Sequence, residues 1–405
     1  MLTSMRDRRL VIIFAVVLVN MLSFSVILPL LPYLARELGA SAVVMGWLSA
    51  MYPIFQFIGA PILGRLSDRF GRKPLLLVSV LGTAAGFVVL ATASALPVLF
   101  LGRILDGLTG GNVSVAQAYI ADITPAEKRG RALGMIGAAF GLGFILGPVT
   151  GGLLSSVSPA APAWLGAALS LISALLIATL VPESLSAEAK AHLAGKPRRG
   201  FTLRAAIDAL KTKRVGPLLT VRILIGTSFG MFEAGFSLWA LSALGLDART
   251  NAFVLAYVGL LSVLMQAFVI GRLTARYSDD GLLLFSLGAA TLGLAIWGFS
   301  PSLTFLLVLM PLISFGLAVS NTISTSALTK SVHRDELGGI LGLNTSIQAA
   351  TRIPAPVLTG TLVQYASVWA PGLVAGAITL GAAAFAYQTL CWKPGQVACV
   401  EDFSS

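Results

Sequence analysis

Residues 64–77 read GRLSDRFGRKPLLL, a knot of charge between two uncharged runs, 38–64 before it and 74–102 after it. A bilayer crossing takes about 20 consecutive apolar residues. Each flanking run is long enough to cross, so the charged stretch reads as the turn between two membrane-spanning helices. The whole chain has the same texture. Its 405 residues are 56% hydrophobic and 11% charged, with a mean hydropathy of +0.88. A soluble domain carries about 25% charged residues, so most of this surface is meant for lipid. Backbone groups in lipid must be satisfied internally, which leaves helices or closed barrels. The apolar runs are continuous rather than alternating, which selects helices.

The uncharged stretches set the count. Residues 10–35 and 38–64 each span once, whereas the longest runs, such as 132–182, 281–329 and 353–392, must fold as helical hairpins. Adding the segments with one or two embedded charges predicts twelve spans: 10–35, 43–66, 74–93, 97–121, 131–156, 161–181, 216–244, 250–275, 281–300, 303–329, 337–364 and 370–392. Of 28 Lys and Arg residues, 23 fall in the tails and alternate connections, Arg103, Arg222 and Arg352 lie within spans, and only Arg36 and Arg249 fall on the opposite side. That asymmetry places both termini in the cytoplasm, and the net charge of +11 becomes a topology signal against anionic lipid rather than a nucleic-acid footprint. No cleavable signal peptide is expected, because Arg6, Arg8 and Arg9 precede a first helix too long for one. Cys391 and Cys399 sit at the cytoplasmic end, where a disulfide is not expected. His192 and His333 lie in loops, and no metal-ligand cluster or catalytic triad stands out, so enzyme activity is not expected.

The chain repeats. Residues 271–284 read GRLTARYSDDGLLL, matching 64–77 at an offset of 207, and APVLTG at 355–360 matches GPVTGG at 147–152 at an offset of 208. Two matches at nearly one offset divide the chain into a six-helix half at 1–181, a cytoplasmic linker at 182–215 and a second six-helix half at 216–405. Within the linker, 201–213 (FTLRAAIDALKTK) reads as an amphipathic helix on the inner leaflet or as a disordered tether. Parallel repeats imply a pseudo-two-fold axis along the membrane normal, with the substrate site near the midplane between the halves.

Three stretches carry a family resemblance. GRLSDRFGRKP resembles the signature of the major facilitator superfamily, departing in Ser67. LGRILDGLTGG at 101–111 is similar to its fourth-helix signature, and GLGFILGPVTGG at 141–152 to the fifth-helix signature of its antiporters. The chain resembles the twelve-helix drug/proton antiporters, particularly tetracycline exporters. The resemblance implies an all-α membrane protein with twelve transmembrane helices in two pseudo-symmetric bundles. It further implies antiport, drug efflux and antibiotic resistance in a bacterial cell membrane. A monomer embedded in the bilayer is expected, taking a small-molecule substrate, with no cofactor and a proton gradient as energy source. The acids that tetracycline exporters carry in spans one, three and nine are absent: Asn20 stands in the first, and neither the region around Gly86 nor 281–300 has one.

The resemblance also assigns a conformational latch of Gly64, Asp68, Arg69, Gly71 and Arg72, with Asp122 as the acid partner of Arg72. A bare positive-inside cluster is the alternative. Gly143, Gly147, Pro148, Gly151 and Gly152 form the antiporter helix motif, and their spacing puts small residues where backbones touch. Charges buried at mid-membrane are the sharpest functional signal. Arg103 and Asp106 lie three apart and can pair. Glu233 has no opposite charge three or four residues away, with Phe229 and Phe236 on its face, a setting for a cationic amphiphile. Glu233 is therefore the first proton-coupling candidate and Asp106 the second. Arg222 is expected to snorkel. Arg352 is expected to hold an anionic group or pair with Glu233. Asn20, Gln56, Arg103, Asn112, Phe229, Phe236, Gln266, Asn344, Gln348 and Arg352 are the candidate cavity residues, although any one of the polar ones can serve only as helix–helix glue. These features point to proton-coupled export of small amphipathic compounds. The alternatives are an exporter or flippase of one metabolite (a sugar, siderophore or lipid) and a receptor that moves nothing.

The topology is directly testable. Single cysteines after Arg36, Leu244 and Ala366 should react with an impermeant thiol reagent from outside intact cells, and a cysteine within 182–215 should not. Outside labelling of the 182–215 segment would overturn the orientation.

Overall fold

The computed structural model describes residues 2–125, 129–186, 188, 212, 215–331 and 337–391. The helix expected over 201–213 lies outside the described residues except for Thr212, as do His192, His333 and Cys399. Among the described residues, ten helical stretches are long and apolar enough to cross a bilayer. Spans four and eleven complete the twelve expected. Each is made of two shorter helices, Leu96–Thr109 with Asn112–Ile123, and Leu337–Thr351 with Pro354–Tyr365.

The interruptions have local causes. Span one breaks between Leu2–Ile27 and Leu31–Glu37, where Pro29 and Pro32 supply no N–H. Tyr33 N bonds back to Leu30 O at 3.0 Å, and the released Pro29 carbonyl accepts from Asn251 Nδ2 at 3.0 Å. Span four breaks at Gly110–Gly111, and the Gly110 carbonyl accepts from Gln56 Nε2 at 2.9 Å. Span eleven breaks at Arg352–Ile353, directly before Pro354. In lipid every such released group has to find a partner within the protein.

Spans two and three, Ala42–Phe70 and Arg72–Ala91, are separated by one residue. The charged signature is therefore mostly helical. Gly64, Asp68 and Arg69 lie on the last turns of span two, not in a loop. The turn itself rests on Gly71 at φ 111°, a conformation that strains any residue with a Cβ. Gly64 does not mediate a close approach, since a Cβ there meets nothing within 4 Å.

The chain forms two compact units, Met1–Arg198 with Leu246–Gly259, and Arg199–Gly245 with Leu260–Ser405. The start of span eight thus packs within the first unit. There a Cβ on Gly152 would stand 2.6 Å from Ala252 Cβ, and one on Gly259 2.8 Å from Phe144 O. Span five, Arg129–Ser155, turns its small residues to span one. Gly143 faces Met21, Gly147 faces Ser25 and Gly151 faces Val26, and Ser25 Oγ donates to Gly143 O at 2.7 Å. The apolar interior of this unit gathers Ile13, Val17, Val80, Val115, Tyr119, Ile136 and Ile177. In the second unit, Val221, Ile225, Leu283, Leu287 and Ile323 form one core, and Leu218, Leu219, Leu328 and Ile347 another. Phe232, Phe236, Trp239 and Trp297 stack beside them with ring centroids 5.2–6.1 Å apart.

Close helix packing predicts a graded cost. A Cβ on Gly59 would collide with the Leu108 backbone carbonyl, whereas one on Gly288 meets nothing within 4 Å. Gly59→Ala should destabilise the detergent-solubilised protein by about 1–3 kcal/mol through overpacking. Gly288→Ala should be neutral or raise the melting temperature slightly through helix propensity. Equal melting temperatures for the two variants would remove backbone contact as the packing constraint.

Candidate functional site

Three groups of charged side chains lie inside the helical bundle, and each meets its charge differently. The first is the signature turn. Arg72 Nη1 is 2.6 Å from Asp68 Oδ1 and Arg72 Nε is 2.9 Å from Asp122 Oδ2. Nη1 also donates to Ser67 Oγ at 2.7 Å. The Arg72 backbone N–H, at the N-terminus of span three, donates to Glu183 Oε1 at 3.0 Å, a carboxylate set where the helix dipole favours it. Ser184 Oγ donates to Asp122 Oδ2 at 3.0 Å. Ends of spans two, three and four are thus tied through one buried guanidinium, and the segment after span six joins them through the Arg72 backbone N–H and Asp122. Arg69 stands outside this knot, with its guanidinium 5.4 Å from the Phe70 ring.

The second group is Arg103 and Asp106 on span four. Both are about 2% exposed or less, and Arg103 Nη1 donates to Asp106 Oδ2 at 3.1 Å. The guanidinium also lies 4.7 Å from the Tyr52 ring centroid, and Gln56 Nε2 donates to Tyr52 Oη at 2.9 Å. Gly86, Gly102 and Gly107 let spans two, three and four close around the pair, since a Cβ on any of them would come within 3.0 Å of a neighbour. It is a sealed pair within one helix.

The third group joins spans seven and eleven. Arg352 Nη2 lies 3.1 Å from Glu233 Oε2 and 3.2 Å from Oε1. The Arg352 side chain is 44% exposed and that of Glu233 17%. Glu233 therefore has a countercharge, which the spacing along its own helix does not reveal, and the partner lies in the same unit. The aromatic wall also differs from expectation. Phe229 is exposed, but Phe236 is buried in the stack with Trp239 and Trp297 and does not line an open face. With Arg352 on it, Glu233 is not a free anion awaiting a cationic compound.

Arg222 does not snorkel. It is 2% exposed, and its Nε donates to Asn344 Oδ1 at 2.8 Å while Nη1 donates to Asn321 O and to Ser324 Oγ, each at 3.1 Å. Nη1 also contacts Asn321 Oδ1. The acceptors lie on spans ten and eleven, so they pull the guanidinium sideways into the bundle instead of along its own helix to an interface. The remaining polar candidates separate by environment. Asn20 Nδ2 donates to Ser173 Oγ at 3.0 Å, joining spans one and six. Asn112 Oδ1 accepts from Val113 N at 2.7 Å at the start of its half-helix. Gln266 is exposed in the widened turn Met265–Val269, and Gln348 is half-buried on span eleven.

One pair escaped the motif reading. Lys330 Nζ lies 2.6 Å from Asp279 Oδ2, linking the end of span ten to the start of span nine. Position 279 is Arg72 plus 207 and position 330 is Asp122 plus 208, so the second unit repeats the Arg72–Asp122 link with the charges exchanged. The repeat offset was the signal that could have found it. Among the described residues no three metal-ligating side chains come together.

A bundle of apolar spans with ion pairs inside it is the architecture of a polytopic membrane carrier. The chain belongs to the Major Facilitator Superfamily, whose family model matches residues 13–356, and it is accordingly an integral membrane transporter rather than an enzyme. It is 32% identical over 373 residues to "Tetracycline resistance protein, class C" of Escherichia coli, covering 90% of this chain and 92% of that protein. It is 34% identical over 352 residues to "Solute carrier family 67 member A1" of Homo sapiens, covering 84% and 82%. The fold matches the crystal structure of the nucleoside transporter NupG with a TM-score of 0.75 at 15% identity, over 95% of this chain and all of that one.

The two related ion pairs should differ in stability. Arg72→Ala leaves Asp68 and Asp122 facing each other without a cation, which should cost on the order of 3–5 kcal/mol. Asp279→Asn breaks a far more exposed pair and should cost no more than about 1 kcal/mol. Thermal unfolding of the purified variants compares them, and a smaller loss for Arg72→Ala would mean that the buried knot does not hold its helix ends.

Proposed function

We propose that this transporter is a secondary active exporter of small amphipathic compounds, driven by proton antiport through alternating access. Its setting is a bacterial cell membrane, with both termini cytoplasmic. The observation that carries the reading is the Glu233–Arg352 pair. It bridges two spans and is partly exposed, whereas Arg103–Asp106 is sealed on a single helix. A proton arriving on Glu233 cancels its attraction for Arg352 and frees both side chains. Loss of that proton restores the link between spans seven and eleven. A group that alternates in this way needs access to water and a partner on a separate element. Glu233 has its partner on a separate span and is partly exposed, and the apolar Phe229 lies exposed one turn before it.

The basic-residue asymmetry supports the orientation, and similarity to tetracycline resistance proteins supports drug export. The Arg72 knot serves in this reading as the latch, because ion pairs at helix ends are discrete contacts that form in one arrangement and break in another. Asp106, with its countercharge fixed on the same helix, serves structure first and coupling second.

Proteoliposomes test the coupling. A panel of cationic, neutral and anionic amphipathic compounds is assayed with and without an imposed pH gradient. Glu233→Gln should reduce gradient-driven transport to the level of protein-free liposomes while preserving exchange of compound across an unenergised membrane. Gradient-driven transport at the parental rate would exclude Glu233 and transfer the role to Asp106.

A further inference from the structure

Arg72, Arg103 and Arg352 each have a carboxylate within 3.1 Å. Arg222 has none among the described residues. Its partners are two asparagines and a serine, all neutral, and its Nη2 has no hydrogen-bond partner among the described residues. A guanidinium carries five N–H donors and cannot discard its charge, and an uncompensated charge inside a membrane bundle is costly. The neighbours also prevent retreat, because the amide of Asn344 and the hydroxyl of Ser324 are themselves buried. One side of the cage is different. Asn321 is exposed and is hydrogen-bonded to the guanidinium, so the buried Arg222 is one residue away from the surface of its unit.

We propose that Arg222 is an anion-binding centre that receives the carboxylate of an amphipathic organic acid, which names a substrate class for the exporter and rests on that reading. Nη2 offers two N–H donors with no competing internal acceptor, while the other nitrogens are anchored so that the plane is fixed. The same helix buries Val221, Ile225, Leu218 and Leu219 in the apolar cores of the unit. That combination suits a ligand with one acidic group and an apolar body. Charge-assisted hydrogen bonds to a held guanidinium are the strong kind. Glu233 lies eleven residues further along span seven, roughly 16 Å at helical rise, so acid binding and proton coupling occupy separate places on one helix and can be separated by mutation.

The test uses the purified full-length chain in nanodiscs of neutral lipid, titrated with 1-naphthoate and with its uncharged counterpart 1-naphthamide, affinity being read from the shift of the thermal midpoint. The parental protein should bind naphthoate at least about tenfold more tightly than naphthamide, the scale of one charged hydrogen bond. Asn344→Asp places a carboxylate on Arg222 from within the cage. It should fold with an unchanged or higher midpoint and lose the preference for naphthoate. Arg222→Gln should lose it as well. Glu233→Gln should keep it, so that a failure of the coupling assignment leaves this result standing. Equal affinity for the two ligands in the parental protein overturns the proposal, as does a folded Asn344→Asp variant that still prefers naphthoate. Stabilisation by anionic lipid with no response to naphthoate would assign the site to a lipid headgroup and overturn it equally.

Discussion

A guanidinium held away from water must be given acceptors, and how each arginine meets that demand organises the interior of this protein. Arg72 has two carboxylates and ties helix ends together. Arg103 has one carboxylate and a tyrosine ring, sealed on its own span. Arg352 has one carboxylate on a different span, with part of the pair open. Arg222 has only neutral acceptors. Counting only direct partners, the charge runs from negative at Arg72, through two balanced pairs, to positive at Arg222. In a low-dielectric interior such differences are not averaged away by solvent. Arg103–Asp106 is fixed within one helix, whereas the Arg72 knot joins the ends of separate helices. The partly exposed pair and Arg222 are where the proposed proton and the proposed anion would change the balance.

The internal repeat shows that the link between helix ends matters more than the sign of each partner. In the first unit the start of span three carries Arg72 and the end of span four carries Asp122. In the second unit the corresponding positions carry Asp279 and Lys330. An ion pair reads the same in either direction, so the exchange preserves the clamp while the flanking sequence diverges. What is lost is the depth of the network. Arg72 is buried and holds Asp68 as well, whereas Lys330 is mostly exposed and its pair is worth correspondingly less. The first unit carries the stronger anchor.

The fold was legible because its determinants are local. Span count and order follow from runs of uncharged residues, and the shared geometry of spans two and three follows from a charged knot too short to be anything but a turn. Breaks were legible only in part. Pro29, Gly110–Gly111 and Pro354 are visible as letters, yet Pro148 sits inside an uninterrupted helix, so the letter alone does not decide. The Arg72–Asp122 contact came from the family resemblance, since nothing in the spacing of positions 72 and 122 brings them together. The Glu233–Arg352 pair was one of the two readings open for Arg352, and spacing alone could not choose it. Periodicity reports neighbours on the same helix, and Arg352 reaches Glu233 from another. The reading of Arg222 failed: distance from a helix end predicts snorkelling only when no acceptor lies at hand, and Asn344, Asn321 and Ser324 hold the guanidinium within the bundle.

The two units treat their intramembrane charge unequally, and the breaks in the helices show why. Span four is interrupted at Gly110–Gly111, just past Asp106, by residues that shorten the helix without moving its charged turn off the axis. Arg103 and Asp106 stay three apart on one regular helix and satisfy each other there. Span eleven is interrupted at Arg352 itself, since the following Pro354 removes an N–H and ends the regular ladder at Thr351. Arg352 thus stands at a helix end rather than within a helix, and its partner has to come from a neighbouring span. A pair formed inside a helix survives any rigid displacement of that helix. A pair formed between helices, one of them broken at the charged residue, depends on how the two lie. The Gly226 and Gly230 faces of span seven, which sit against Thr351 and Ala355, let those helices approach closely on both sides of the break. Of the two intramembrane pairs, the one able to respond to movement is therefore the one where spans seven and eleven meet.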